Sequence, residues 1–178
     1  MPLKDLLVCI DESEPARARL DFAVALARIH AARLTGLFAL DLVPTIEGLI
    51  RGYGGQHEFL ANYAALRERA QAAAAQLEAE FSDRLRREDL AGEWRFVESL
   101  PAETAALHAR YADLAIVGQI DPEKPNPVNA ARLPEEVLFA SGRPVLIVPY
   151  AGRFAGDCER ILVGWTATRT VYCRITVI

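Results

Sequence analysis

The chain has 178 residues, a net charge of −4 and a pI near 5.5, with 52% hydrophobic and 25% charged residues. That is enough for one packed domain with a remainder, and the composition excludes a fibre or a wholly disordered chain. The acidic balance gives no general attraction to nucleic acid or anionic lipid, and no run approaches the roughly 20 apolar residues of a membrane span.

The amino terminus lacks the long apolar region of a signal peptide, so a cytoplasmic location is expected, with neither nucleic acid nor membrane as partner. Leu6 to Ile10 is a short apolar run closed by Asp-Glu-Ser-Glu-Pro. This is the pattern of a buried strand, a polar turn and a helix with Pro15 in its first turn. The helix is expected over Ala16 to Ala31, its apolar stripe formed by Leu20, Ala23, Val24, Ala27 and Ile29, with Arg17, Arg19 and Arg28 largely off it.

Arg33 to Leu42 reads as the second strand, and the stretch from Val43 to Gln56 as an irregular loop rich in Gly and Pro. Alanine-rich, charge-decorated sequence from His57 to Leu90 predicts one long helix or two joined ones. Glu93 to Ser99 alternates as a third strand, and Pro101 opens a helix through Ala112. Asp113 to Gln119, Pro134 to Ala140 and Pro144 to Tyr150 then read as strand, short helix and strand. Strand and helix alternate throughout, which predicts a doubly wound α/β domain over residues 1–150, its parallel sheet covered on both faces.

Residues 151–159 read as a linker, and from Arg160 the sequence Arg-Ile-Leu-Val-Gly-Trp repeats the character of the first strand. Residues 160–178 are therefore expected to be the start of a truncated second repeat or a strand-like tail, with Ala167 onward departing from the first copy. Their β-branched content favours strand over helix. As unpaired strand material they would seek an edge on another chain.

Few side chains are placed for chemistry. Cys9, Cys158 and Cys173 lack metal-ligand spacing, and Cys9, within an apolar run, is expected to be an inert buried thiol. His30, His57 and His108 lie far apart without a spaced carboxylate or cysteine, so no metal site is expected. Ser13, Ser99 and Ser141 have no nucleophile-elbow context, and no catalytic residue is assigned. Trp94 and Trp165 are expected to pack. The Arg84, Arg86 and Arg87 cluster, interspersed with Asp83, Glu88 and Asp89, reads as a solvated helix end.

The order of elements, with Tyr-Ala-Asp-Leu-Ala-Ile-Val-Gly at 111 to 118 and Gly-Arg-Pro-Val-Leu-Ile-Val-Pro at 142 to 149, resembles the universal stress protein family. The resemblance covers Leu3 to about Tyr150 and looks like the first domain of a tandem-type member. It implies a three-layer sandwich on a five-stranded parallel sheet of order 3-2-1-4-5, like that of the adenine nucleotide alpha hydrolases, and pairing of two chains through the fifth strand. It also implies an ATP site built from an acidic residue after the first strand, backbone at the end of the second, and a Gly-x2-Gly-x9-Gly-Ser/Thr loop after the fourth. Glycines there let backbone N–H groups approach phosphate closely.

Carried onto this sequence, the site residues are Asp11, Leu40, Val117, Gly118 and Arg132. Asp121 stands where the second glycine is expected, and Ala131 with Arg132 replaces the Gly-Ser/Thr pair. A carboxylate a few ångströms from phosphate costs on the order of 1 to 4 kcal/mol per unit charge. Pro122, Pro125 and Pro127 remove three donors, and Arg132 partly opposes these losses. Asp11 stands as a turn acid capping the first helix beside Ser13, or as a nucleotide ligand. Gly118 stands as a ligand contact or a turn requirement.

The expected function is a stress-response protein acting as a non-enzymatic binding or regulatory module, with impaired or absent ATP binding and no cofactor. The alternative is an adenine-nucleotide-binding switch with weak ATPase activity through a non-standard phosphate loop. The expected partners are a second copy of the chain, through the fifth strand and the tail, and a small-molecule ligand.

Overall fold

The computed structural model describes residues 2–40, 56–121, 123, 133–152, 161–164 and 174–177, of which 56–62, 161–164 and 174–177 are described by backbone alone. The elements in chain order are β1 (Asp5–Cys9), α1 (Pro15–His30), β2 (Arg33–Ala39), α2 (Gln56–Arg87), β3 (Gly92–Val97), α3 (Pro101–Ala109), β4 (Leu114–Gly118), α4 (Leu133–Ala140) and β5 (Val145–Val148), then β6 (Ile161–Gly164) and β7 (Arg174–Val177). The first five strands form one parallel sheet in the order β3-β2-β1-β4-β5. The expected fold class and strand order hold.

Period-two alternation along each strand explains the layers. Leu6, Val8 and Ile10 face one side with Ile116, packing against Phe22, Ala23 and Ala27 of α1 and Phe81 and Leu85 of α2. Leu7, Cys9, Leu37, Ala115 and Val117 face the other, against Ala105 and Ala109 of α3 and Val137 of α4. A third cluster joins Phe38 and Leu40 to Ala70 and Ala74. Strands buried on both faces read as continuous apolar runs, and this is why β1 and β4 were legible.

Crossing from α3 into β4, Asp113 ties the central strands together. Its Oδ2 accepts hydrogen bonds from Lys4 N at 2.7 Å and Asp5 N at 3.1 Å, which hold its carboxyl below the ordinary value. The strand after α1 begins at Arg33, and the helix before it ends through Ala31 in the left-handed region, φ 50°, its N–H donating to Ala27 and Arg28 carbonyls.

Several expectations are corrected. Arg19 is not off the apolar stripe of α1: it is buried, on a face with Ala16, Ala23 and Ala27, while Arg17 and Arg28 are exposed. Ile29 is 58% exposed and takes no part in the stripe; the buried bulk comes from Phe22 and Leu26. The helix from residue 56 is one element, whose Arg84 pairs with Asp21 of α1 and whose Arg86 and Arg87 pair with Asp83. Trp94 packs at 5.6 Å from the Phe81 ring, whereas Trp165, Cys158, Cys173 and the 43–55 loop lie outside the described residues. The tail is strand where it is described, but not unpaired: β6 and β7 form an antiparallel ladder with each other, from Ile161 opposite Val177 to Gly164 opposite Arg174.

Candidate functional site

Sheet order reverses between β1 and β4, and α/β proteins place ligands in the crevice outside the carboxyl ends of the strands at such a point. Here the crevice is a cleft of about 90 Å³ bordered by Cys9, Asp11 and Ser13 after β1, Arg19 of α1, Leu37 and Ala39 of β2, and Gly118 to Asp121 after β4. Pro101 and Ala105 of α3 and Leu133 and Pro134 of α4 complete its walls.

Asp11 is the centre of its polar chemistry. Asp11 Oδ1 accepts from the backbone N–H of Ser13 at 2.9 Å and from the Ser13 hydroxyl. Asp11 Oδ2 accepts from Nη2 of Arg19 at 2.9 Å. Burial by itself pushes the Asp11 carboxyl up; the Arg19 guanidinium and the Ser13 hydrogen bonds outweigh it, and the net direction is below the ordinary carboxylate value. The capping alternative for Asp11 and Ser13 does not hold: α1 starts after Glu14 without a side-chain cap, and Pro15 occupies its first turn.

Arg19 is the site residue that sequence reasoning missed. Its side chain is only 4% exposed, and its Nε is buried without a hydrogen-bond partner. The guanidinium lies directly over Gly118. A β-carbon built on that glycine would collide with Arg19 Nη1 and sit 2.8 Å from Cζ. Strand alternation turns Gly118 to the same side as Ile116, the side that α1 covers. A signal for Arg19 existed in the sequence: three residues after Ala16 and four before Ala23, it falls on the buried small-residue face of α1.

The remaining expected residues separate. Gly118 borders the crevice. Val117 is fully buried in the cluster with Leu7 and Cys9, below the crevice floor. The Leu40 side chain packs with Phe38, Ala70 and Ala74, and the β2 side chains that border the crevice are Leu37 and Ala39, which alternation sends to the opposite face. Asp121 is at the rim, its Oδ1 accepting from the backbone N–H of Glu123 at 2.9 Å. Arg132, Ala131, Pro122, Pro125 and Pro127 lie outside the described residues.

Cys9 lines the crevice as an unreactive group: burial, above all, pushes its thiol up to about 12, with Arg19 lowering and Asp11 raising it to smaller extents. Among the histidines, the Nδ1 of His108 lies 2.7 Å from Nη1 of Arg95, and burial followed by that neighbouring charge moves it below its ordinary value. No group of three or more His, Cys, Asp or Glu residues is placed to hold a metal ion among the described residues.

Comparison with solved structures gives the same fold. A universal stress protein family member from Burkholderia pseudomallei is 25% identical, with a TM-score of 0.56 over 82% of this chain and 96% of its own. A universal stress protein in complex with cAMP is 21% identical, with a TM-score of 0.57 over 85% of this chain and 100% of its own. A family member from Arabidopsis thaliana with AMP bound is 10% identical, with a TM-score of 0.56 over 88% and 95% of the two chains. The chain thus has the universal stress protein fold. No protein-family model and no curated protein matches its sequence.

Proposed function

We propose that this chain is a universal-stress-type binding or regulatory module, not an enzyme, whose crevice disfavours a nucleoside triphosphate. The observation that carries this reading is the charge around the cleft: among the described residues two carboxylates, Asp11 and Asp121, border it with one guanidinium, Arg19, already committed to Asp11. A polyanion entering that space meets net negative charge, and each unit repulsion at a few ångströms is worth on the order of 1 to 4 kcal/mol. Isothermal titration with ATP and magnesium is expected to show no binding at low micromolar concentration, and incubation with ATP no phosphate release above buffer. A low-micromolar Kd overturns the reading.

A second reading, an adenine-nucleotide switch with weak ATPase activity through Arg132 and a non-standard loop, draws support from the cAMP and AMP bound to proteins of the same fold. The same titration separates the two, because the switch requires both binding and slow phosphate release.

We also propose that two copies of the chain pair through β5. This strand hydrogen-bonds β4 on one side only among the described residues, and Ile147 within it and Tyr150 just after it are 43% and 38% exposed. An unpaired, apolar edge strand is a template for a second chain. Light scattering across a concentration series is expected to give a dimer, and Ile147→Asp a monomer. A wild-type protein that is monomeric at every concentration refutes the pairing.

A further inference from the structure

We propose that the β6–β7 hairpin folds back onto its own chain and lays its apolar face on the outer surface of α3 and α4. The proposal is independent of what the crevice binds.

The register of the hairpin sorts its residues into two unlike faces. Residues directly opposite each other across an antiparallel pair share a face, and so do alternate positions along one strand. Ile161 stands opposite Val177 and Val163 opposite Ile175, so these four β-branched apolar residues belong to one face. Leu162 opposite Thr176 and Gly164 opposite Arg174 make up the other. A two-stranded hairpin is at best marginally stable by itself in water and needs a surface against its apolar face. Among the described residues neither of its strands pairs with the five-stranded sheet.

The outer side of α3 and α4 supplies such a surface. The two helices lie side by side on one face of the sheet, sharing the cluster of Ala105, Ala109 and Val137, and Arg110 after α3 donates to the Ala140 carbonyl at the end of α4 at 3.3 Å. Away from the sheet they expose Leu107, Leu138 and Phe139. One turn earlier on the same helices Glu103 and Glu135 are exposed, with Glu136 beside them. The surface is therefore apolar toward the carboxyl ends of the helices and acidic toward their amino ends. The cations at the apolar end, Arg110 and Arg143, donate to backbone carbonyls. Residues 160–178 complement this surface: they carry Arg160, Arg169 and Arg174 and no Asp or Glu. Reach is ample, since an extended chain from Val148 to Ile161 spans about 45 Å, several times the roughly 12 Å length of α4. The edge of β5 is a poorer seat. Strand addition there would carry the hairpin past the helices that cover the sheet and leave its apolar face bare.

Hydrogen–deuterium exchange of the full chain, read at residues 161–164 and 174–177 with β1 and β4 as internal reference, tests the seat. In the wild-type protein the hairpin amides are expected to exchange at least about tenfold more slowly than an unstructured chain. Val163→Asp on the apolar face, and Leu107→Lys or Phe139→Lys on the helices, are each expected to remove that protection while β1 and β4 keep theirs. Leu162→Asp, an equally unfavourable strand substitution on the other face, is expected to retain it. If a lysine variant also loses protection in β1 and β4, Phe139→Ser takes its place. Unprotected hairpin amides in the wild type overturn the proposal, as does equal loss in Leu162→Asp and Val163→Asp. Protection kept in both helix variants, or lost in Ile147→Asp, overturns it by seating the hairpin elsewhere. Protection that vanishes on dilution overturns it as well, making a second copy the covering surface. ATP titration bears on none of these outcomes, so the proposed function stands or falls separately.

Discussion

Replacing Asp11 by alanine is expected to lower the unfolding free energy by about 3–5 kcal/mol, the loss typical of removing one partner from a buried ion pair. The Arg19 side chain it leaves behind is only 4% exposed, and its Nε already lacks a partner. Without Asp11 the guanidinium keeps no firm acceptor at either terminal nitrogen among the described residues. It must then swing into solvent or remain as a buried charge. Two backbone features add to the effect: the Asp11–Ser13 hydrogen bonds that shape the β1–α1 turn disappear, and α1 has no side-chain cap to compensate. Urea denaturation followed by far-UV circular dichroism measures the loss; a change below about 1 kcal/mol, the level of an exposed pair, would show that the pair is not buried in solution. The pH dependence has a definite sign. Because the folded-state carboxyl of Asp11 lies below its ordinary value, its contribution is fully present above the unfolded value and is lost as the pH falls through the folded one. The wild-type protein is therefore expected to lose stability on acidification below about pH 4 more steeply than the alanine variant.

Phe81→Ala is expected to destabilise the protein by about 3–5 kcal/mol, the range for truncating a buried aromatic side chain. Phe81 of α2 is 1% exposed and belongs to the cluster that binds α1, α2 and the central strands. Its ring sits 5.6 Å from that of Trp94, and both rings press on β2 at Gly36, where an added β-carbon would come within 2.9 Å of Phe81 and 2.8 Å of Trp94. This close approach leaves the surroundings little freedom to collapse into the void, which places the variant toward the upper part of the range. Tyr111→Ala, at an 80% exposed position, serves as the control and is expected to change stability by no more than about 0.5 kcal/mol. Thermal or urea unfolding of the two variants side by side checks the contrast; equal effects would mean that α2 is not seated on the sheet as described.

Phe81 and its helix were legible because a long alanine-rich stretch carries its propensity locally, and because β1, β2 and β4 are apolar runs bounded by turn residues. Ala39 and Leu40 mark where that legibility stops. The end of β2 is legible only to within about one position, and a slip of one residue exchanges the two faces of the strand: the Ala39 side chain borders the crevice, while the Leu40 side chain packs with Phe38. Val117 and Gly118 show the same effect side by side: one belongs to the core, the next to the crevice. Arg19 was missed for a different reason. A charged residue in a helix reads as solvent-facing unless its partner is known, and its partners, Asp11 and the bare backbone of Gly118, come from a turn and from a strand distant in the chain.

Local periodicity alone determined that this protein is a doubly wound α/β domain, that an acid follows its first strand and a glycine ends its fourth, and that the stretch after that glycine carries Asp121. These follow from the sequence because strand and helix repeats and turn chemistry are properties of neighbouring residues. The tertiary structure decided the meaning of the site. It brought Arg19 over Gly118 and onto Asp11, giving a glycine that stood as a ligand contact or a turn requirement a further role, room for the chain's own guanidinium. Burial and pairing depend on which segments meet across the sheet, and that meeting is fixed by packing between elements far apart in the sequence.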